Sequence, residues 1–283
     1  MPIRTALLGI LPPIVIAAIV LLLGWRPWSA KPARWCGVAS ALALALAYAI
    51  TDTLVGGGWP GMPPLDTHRW LPFLALAAAL PVFLAPVSAS GGRNWARFVL
   101  LNATAAIGLF LVLPAHHGDE SLFHIALATL VVTVMVALTR MNLSVLGAGG
   151  GVRVPLMLMI SAIGTSLVSL QSHFAFMAQM AGSIAAVYGV FVVLAWWRSS
   201  LELARGLAPV HALLFAGVIL SIHTTGAAHM LMVAMFITPW NALSLAIRRL
   251  PSGLLTVLCV ALVSILAVFA IAYSTEGFDF GGY

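Results

Sequence analysis

Apolar residues fall into ten long runs, roughly 5–24, 36–55, 70–89, 95–114, 121–139, 153–171, 174–196, 206–223, 227–247 and 251–273, and charged residues gather in the short connections between them. Each run approaches the roughly 20 residues that a helix needs to cross a hydrocarbon core about 30 Å thick. None alternates as the strand of a membrane barrel does, and a bilayer satisfies backbone groups only in helices or closed barrels. The pattern predicts an all-α, polytopic membrane helical bundle of about ten transmembrane helices, forming one integral membrane domain over 1–283. Connections this short leave no room for a second folded domain.

Two of the cuts rest on length. Gly206 to Ile247 is 42 residues without Asp, Glu, Lys or Arg, too long for one crossing, and its weak point for a turn is His223-Thr-Thr-Gly226. The 44 residues between Arg153 and Arg198 likewise make two spans, with a tight turn near Gln171-Ser-His173. With these cuts Arg26, Lys31, Arg34, Arg93, Arg97, Arg140, Arg153, Arg198, Arg205, Arg248 and Arg249 share one side, and only Arg4 and Arg69 fall on the other. Basic residues accumulate on the cytoplasmic side, so both termini are expected on the outer, periplasmic side. Arg69 and Trp70, with Trp28, Trp35, Trp95, Trp196 and Trp197, sit at segment ends, where interface anchors belong.

Composition agrees with a lipid-embedded chain. It is 62% hydrophobic and 7% charged, with a mean hydropathy of +1.10, against about 25% charged residues in an ordinary soluble domain. The net charge of +6 is carried by residues placed singly or in pairs between apolar runs, which marks them as topology determinants rather than a nucleic-acid surface. Arginine supplies all but one of the basic residues, a composition that fits a GC-rich bacterial genome and points to a bacterial inner (cytoplasmic) membrane. Cys36 and Cys259 form no CxxC and read as small apolar residues. The first run is long enough to span and lacks a clear small-residue cleavage site, so it is expected to be kept as a helix.

Breakers occur at Pro12 and Pro13, at Pro81 and Pro86, and at Pro239-Trp-Asn241 in the ninth run. Transporters often build sites from interrupted helices near the midplane, which makes Pro239 and Asn241 a candidate. Gly147-Ala-Gly-Gly-Gly151 lacks the Gly-Lys-Ser/Thr of a phosphate loop and reads as a connector. Asn142-Leu-Ser144 matches a glycosylation acceptor but falls on the cytoplasmic side.

Candidate chemistry divides into two sets. Inside the membrane the inventory is thin: Asp52, Asn102, Gln179, His211, Asn241 and scattered hydroxyls. An ionisable group in hydrocarbon is costly, so Asp52 leads as a proton carrier, although its Thr51-Asp-Thr53 setting near a helix end also suits an interface position. Ser161, Thr165, Ser166 and Ser169 form a polar stripe in the sixth run, either packing glue or part of a path. The substrate or proton path expected is therefore Asp52, Ser161, Thr165 and Asn241.

The second set lies outside. Seven of the eight histidines fall in outer loops or outer helix turns, densest in His116-His117-Gly-Asp-Glu-Ser-Leu-Phe-His124. Glu120 and His124 share a helix face at a four-residue spacing, and His223 and His229 flank the turn between the eighth and ninth runs. Imidazole with carboxylate suits a transition metal such as zinc, copper or iron, and two opposed histidines suit a haem. The candidate metal set is His116, His117, Glu120, His124, His223 and His229. The same histidines also suit acid sensing, or plain interface positions that preserve the charge bias.

No nucleophile with a partner base, nucleotide fold or internal repeat is legible. The favoured reading is a small secondary transporter or permease. The alternative is a membrane subunit of a redox or metal-handling complex, and a third reading is a structural subunit. The expected partners are the lipid bilayer and either other membrane subunits or further copies of the chain; nucleic acid is not among them.

Overall fold

The computed structural model describes residues 2–25, 36–62, 64, 66–84, 151–171, 175–198 and 203–223, with isolated positions between 103 and 143. Most of these residues are helical, and there is no strand among them. Six helices are described: α1 (Pro2–Trp25), α2 (Cys36–Val55), α3 (Leu71–Leu84), α4 (Arg153–Gln171), α5 (Ala175–Trp197) and α6 (Leu203–His223). A 3₁₀ turn over Thr67–Trp70 leads into α3. Among the described residues, three stretches are long and apolar enough to cross a membrane: Leu7–Gly24 of α1, α2, and α5. Val154–Leu167 and Gly206–Val218 are shorter apolar helical stretches of the same kind.

The expected break in the first run does not occur: α1 continues through Pro12 and Pro13. A proline removes one backbone hydrogen bond and crowds the carbonyl four residues earlier, which bends a helix more readily than it ends one when neighbours hold both halves. Here α1 packs along α2 and α5. Pro81 and Pro209 likewise lie within α3 and α6. In α4, by contrast, Pro155 is the third residue, where its missing N–H costs nothing.

α2 is the central element, in contact with α1, α3, α5 and α6. Its sequence explains why. Ala39, Ala41, Ala43, Ala45, Ala47 and Ala49 are all buried, and small side chains on every face let several helices approach one backbone at once. α4 packs mainly on α5. Away from the core, Leu7, Leu11, Val15, Ile19 and Leu23 of α1 are exposed at four-residue intervals, one continuous apolar stripe.

Glycine contacts fix the directions of the helices. Gly24, near the end of α1, meets Ala39, near the start of α2, so this pair is antiparallel. Gly37 faces Gly206 backbone to backbone, so α2 and α6 begin at the same end and run parallel. At the opposite end Gly217 of α6 meets Leu71, the first residue of α3, and Gly9 of α1 meets Gln179 of α5. One end of the bundle therefore gathers the starts of α2 and α6 with the end of α1. The other gathers the ends of α2 and α6 with the starts of α1, α3 and α5.

Candidate functional site

The second of these ends holds the site, and the last turn of α2 builds it. Thr51 and Thr53 turn their hydroxyls back onto the carbonyls of Ala47 and Ala49, at 2.7 and 2.8 Å. Asp52 between them cannot do the same and is wholly buried. The helix then stops on three glycines. Gly58 N–H donates to Thr53 O at 2.9 Å, and Gly57 between them has φ +77°, the six-to-one closure of a Schellman end. Left-handed backbone at that position is the reason a glycine stands there.

The glycine turn that follows α2 presents two carbonyls of its own, and Arg69 takes them. From the 3₁₀ turn its Nη2 donates to Gly56 O at 2.6 Å and its Nη1 to Gly58 O at 3.3 Å. The same Nη1 forms an ion pair with Asp52 Oδ2 at 3.3 Å. A guanidinium at a helix C-terminus also opposes the negative end of the helix dipole. The Phe176 ring of α5 lies 5.7 Å from the guanidinium carbon, and His68 tilts against that ring at 4.9 Å. The side chain of Arg69 is 22% exposed, that of Asp52 not at all. One partner thus reaches the end surface of the bundle and the other is sealed inside it.

The pairing is incomplete in a specific way. Asp52 Oδ1 is buried with no hydrogen-bond partner among the described residues, and so is the hydroxyl of Tyr48, one turn earlier on α2. Arg69 uses its five N–H donors for three bonds only. A carboxylate with one oxygen unpartnered among the described residues, beside a guanidinium that uses three of its five donors there, can change its protonation state and partners without dismantling the helix end.

Gly56 makes the arrangement possible, since a Cβ there would collide with the Arg69 guanidinium. Gly56→Ala is expected to lower thermal stability and to add nothing further once Arg69 is already alanine. Gly57→Ala, with no atom within 4 Å, should cost only the left-handed backbone penalty of about 1 kcal/mol. Thermal unfolding in detergent of wild type, Gly56→Ala, Arg69→Ala, their double variant and Gly57→Ala checks both statements.

Neither a family model, a curated protein nor a solved structure matches the chain.

A second polar pair lies deeper. The Tyr188 hydroxyl of α5 and His211 Nδ1 of α6 share a hydrogen bond of 2.5 Å, both residues are fully buried, and Phe215 lies 4.4 Å from the imidazole. Of the expected path residues, Asp52 heads the site just described. Thr165 donates to Ser161 O at 2.9 Å, Ser169 to Thr165 O at 2.7 Å, and Ser166 crosses to Ala178 O of α5 at 2.6 Å. Thr165 and Ser169 are thereby spent on carbonyls of α4 itself and Ser166 on one of α5, and among the described residues no hydrogen bond links Ser161 or Thr165 to Asp52. Asn241, His116, His117, Glu120, His124 and His229 lie outside the described residues, as does the side chain of His223, whose backbone closes α6. No group of three His, Cys, Asp or Glu able to hold a metal occurs among the described residues.

Sequence reasoning reached Asp52 and missed its partner, assigning Arg69 to the interface. The available signal was its isolation: beside Arg4, it is the basic residue that violates the charge bias. Tyr48 and Tyr188 carried no signal beyond being hydroxyls inside apolar runs. An open apolar groove of about 690 Å³ runs between α1, α4 and α5 over Gly182, Ala186 and Gly189, and it carries no ionisable group.

Proposed function

We propose that the protein is a small secondary transporter of the bacterial inner membrane, a multi-pass bundle of ten helices with both termini outside, in which Asp52 carries the coupling proton. The observation behind this reading is a carboxylate wholly buried in a helix fit to span a membrane, with one oxygen lacking a hydrogen-bond partner among the described residues and the other held by a single ion pair. A charge so placed is costly in hydrocarbon and is retained where it does work. The directions of α1, α2, α3, α5 and α6 support the topology, because they are those the ten cuts require. On this reading the Asp52–Arg69 end faces the periplasm.

The chemistry is a proton exchange. With Asp52 ionised, its charge is balanced by Arg69 and the end of α2 is latched to the turn. When Oδ1 takes a proton the attraction falls away, Arg69 keeps its two carbonyl bonds, and the guanidinium becomes available to another partner. Two states of the same end, separated by one proton, are what coupling a solute to a proton gradient requires.

Reconstitution into liposomes with a lumenal pH dye tests the reading. With acid outside and a panel of carboxylates, amino acids and sugars, at least one solute is expected to accelerate lumenal acidification. Asp52→Asn should abolish that acceleration, while Asp52→Glu should keep part of it. Equal rates in wild type and Asp52→Asn for every solute would remove Asp52 as carrier.

A further inference from the structure

Resting on the transport reading, we infer that the substrate is a small monocarboxylate anion, bound by Arg69 in exchange for Asp52 and taken up with one proton. Of the basic residues at this end, Arg4 in the first turn of α1 and Arg69 on the turn before α3, Arg69 is the one that pairs with Asp52, and its guanidinium is already oriented by Gly56 O, Gly58 O and the Phe176 face. Two of its N–H donors have no hydrogen-bond partner among the described residues, and part of the side chain is exposed at the end surface. A planar carboxylate is the partner that such a fork accepts, in place of the single 3.3 Å contact it now makes with Asp52.

Charge balance sets the valence. Ionised Asp52 with Arg69 is neutral. Protonated Asp52 with Arg69 carries one positive charge, and one monovalent anion restores neutrality in a setting where a net charge is costly. The balance closes with an O–H bond formed on Asp52 Oδ1, the Asp52–Arg69 pair broken, and a new pair formed between Arg69 and the anion. The loaded site is neutral, and so is the empty one.

The count is that of the Asp52–Arg69 pair, and other ionisable groups stand beside it at this end. Tyr48 is on α2, Arg4 is in the first turn of α1, and Asp66 and His68 come just before Arg69. α3 and α5 bring no ionisable side chain to this end, and α6 closes there at His223. A dianion would leave the loaded site negative, and an organic cation would meet Arg69 as a like charge.

Calorimetry on the full-length protein in detergent, titrated with lactate, pyruvate and acetate at mildly acidic pH, tests the inference. Repeating each titration in two buffers of different ionisation enthalpy gives the protons taken up per anion bound. Wild type is expected to bind at least one of the three with about one proton taken up per anion. Asp52→Asn should bind the same anion with no proton uptake, and Arg69→Lys, which keeps the charge but loses the fork, should bind at least about tenfold more weakly. Size-exclusion profiles establish that each variant is folded.

Absence of saturable binding of all three anions would overturn the inference, as would binding that neither substitution alters. If the liposome assay meanwhile shows Asp52-dependent acidification driven by a sugar or an amino-acid cation, the transport reading survives and the monocarboxylate does not. If no solute gives Asp52-dependent flux, the transport reading itself fails.

Discussion

Arg69→Gln is expected to destabilise the protein by about 3 kcal/mol, while Asp52→Asn/Arg69→Gln recovers most of the loss. Removing one partner of a buried ion pair typically costs about 3–5 kcal/mol, because the other charge stays in a low-dielectric site without compensation. The lower end applies here, since Arg69 is 22% exposed and Asp52 can shed its charge by taking up a proton. Two further carbonyls, of Gly56 and Gly58, lose their donor in the single variant and remain without it in the double one. Recovery should therefore be incomplete. A double-substitution cycle on thermal unfolding should give a coupling energy above about 1 kcal/mol. Additivity would mean that Arg69 acts through the carbonyls alone and that Asp52 is not its electrostatic partner.

Gly206→Ala is expected to be the most damaging change away from the site. Its Cβ would fall onto the carbonyl group of Gly37, a backbone atom that cannot rotate aside, so α2 and α6 must separate at their starts. Overpacking of this kind costs about 1–3 kcal/mol, and the upper end applies where backbone rather than side chain has to move. Gly37→Ala is the control. There the nearest atoms of Gly206 lie 3.5 Å from the added methyl, an ordinary contact, and alanine is the better helix former. Expression yield and unfolding temperature in detergent should therefore fall for Gly206→Ala and hold for Gly37→Ala. A similar fall in both would mean that the two helices do not meet through this glycine pair.

These two positions also show what a sequence of this kind exposes. The limits of α2, at Cys36 and Val55, were legible because an apolar run bounded by charges and by Gly56-Gly57-Gly58 has one way to sit as a helix. The division of α4 from α5 near Gln171 was legible from length and charge placement. Asp52 was legible because one carboxylate among so many apolar residues stands out. The partner of Asp52 was not, since it lies 17 positions away across a turn, and no periodicity links a helix end to a residue beyond it. The meeting of Gly37 with Gly206 was still less so, as it depends on which of several apolar helices share a neighbour. When every helix is apolar on all faces, the pattern that identifies spans in a membrane is the pattern that hides how they pack.

The capping of α2 by a residue from beyond it also has a consequence for biogenesis. As α2 leaves the ribosome it carries a carboxylate in its last turn and is followed by the carbonyls of Gly56 and Gly58, and the guanidinium that answers all three is synthesised later, at the threshold of α3. Until that residue emerges, α2 is a poor candidate to enter lipid alone, because an aspartate within a span opposes insertion by up to about 3 kcal/mol. On the membrane topology proposed above, the helical hairpin α2–α3, rather than α2 alone, is the unit expected to enter the bilayer.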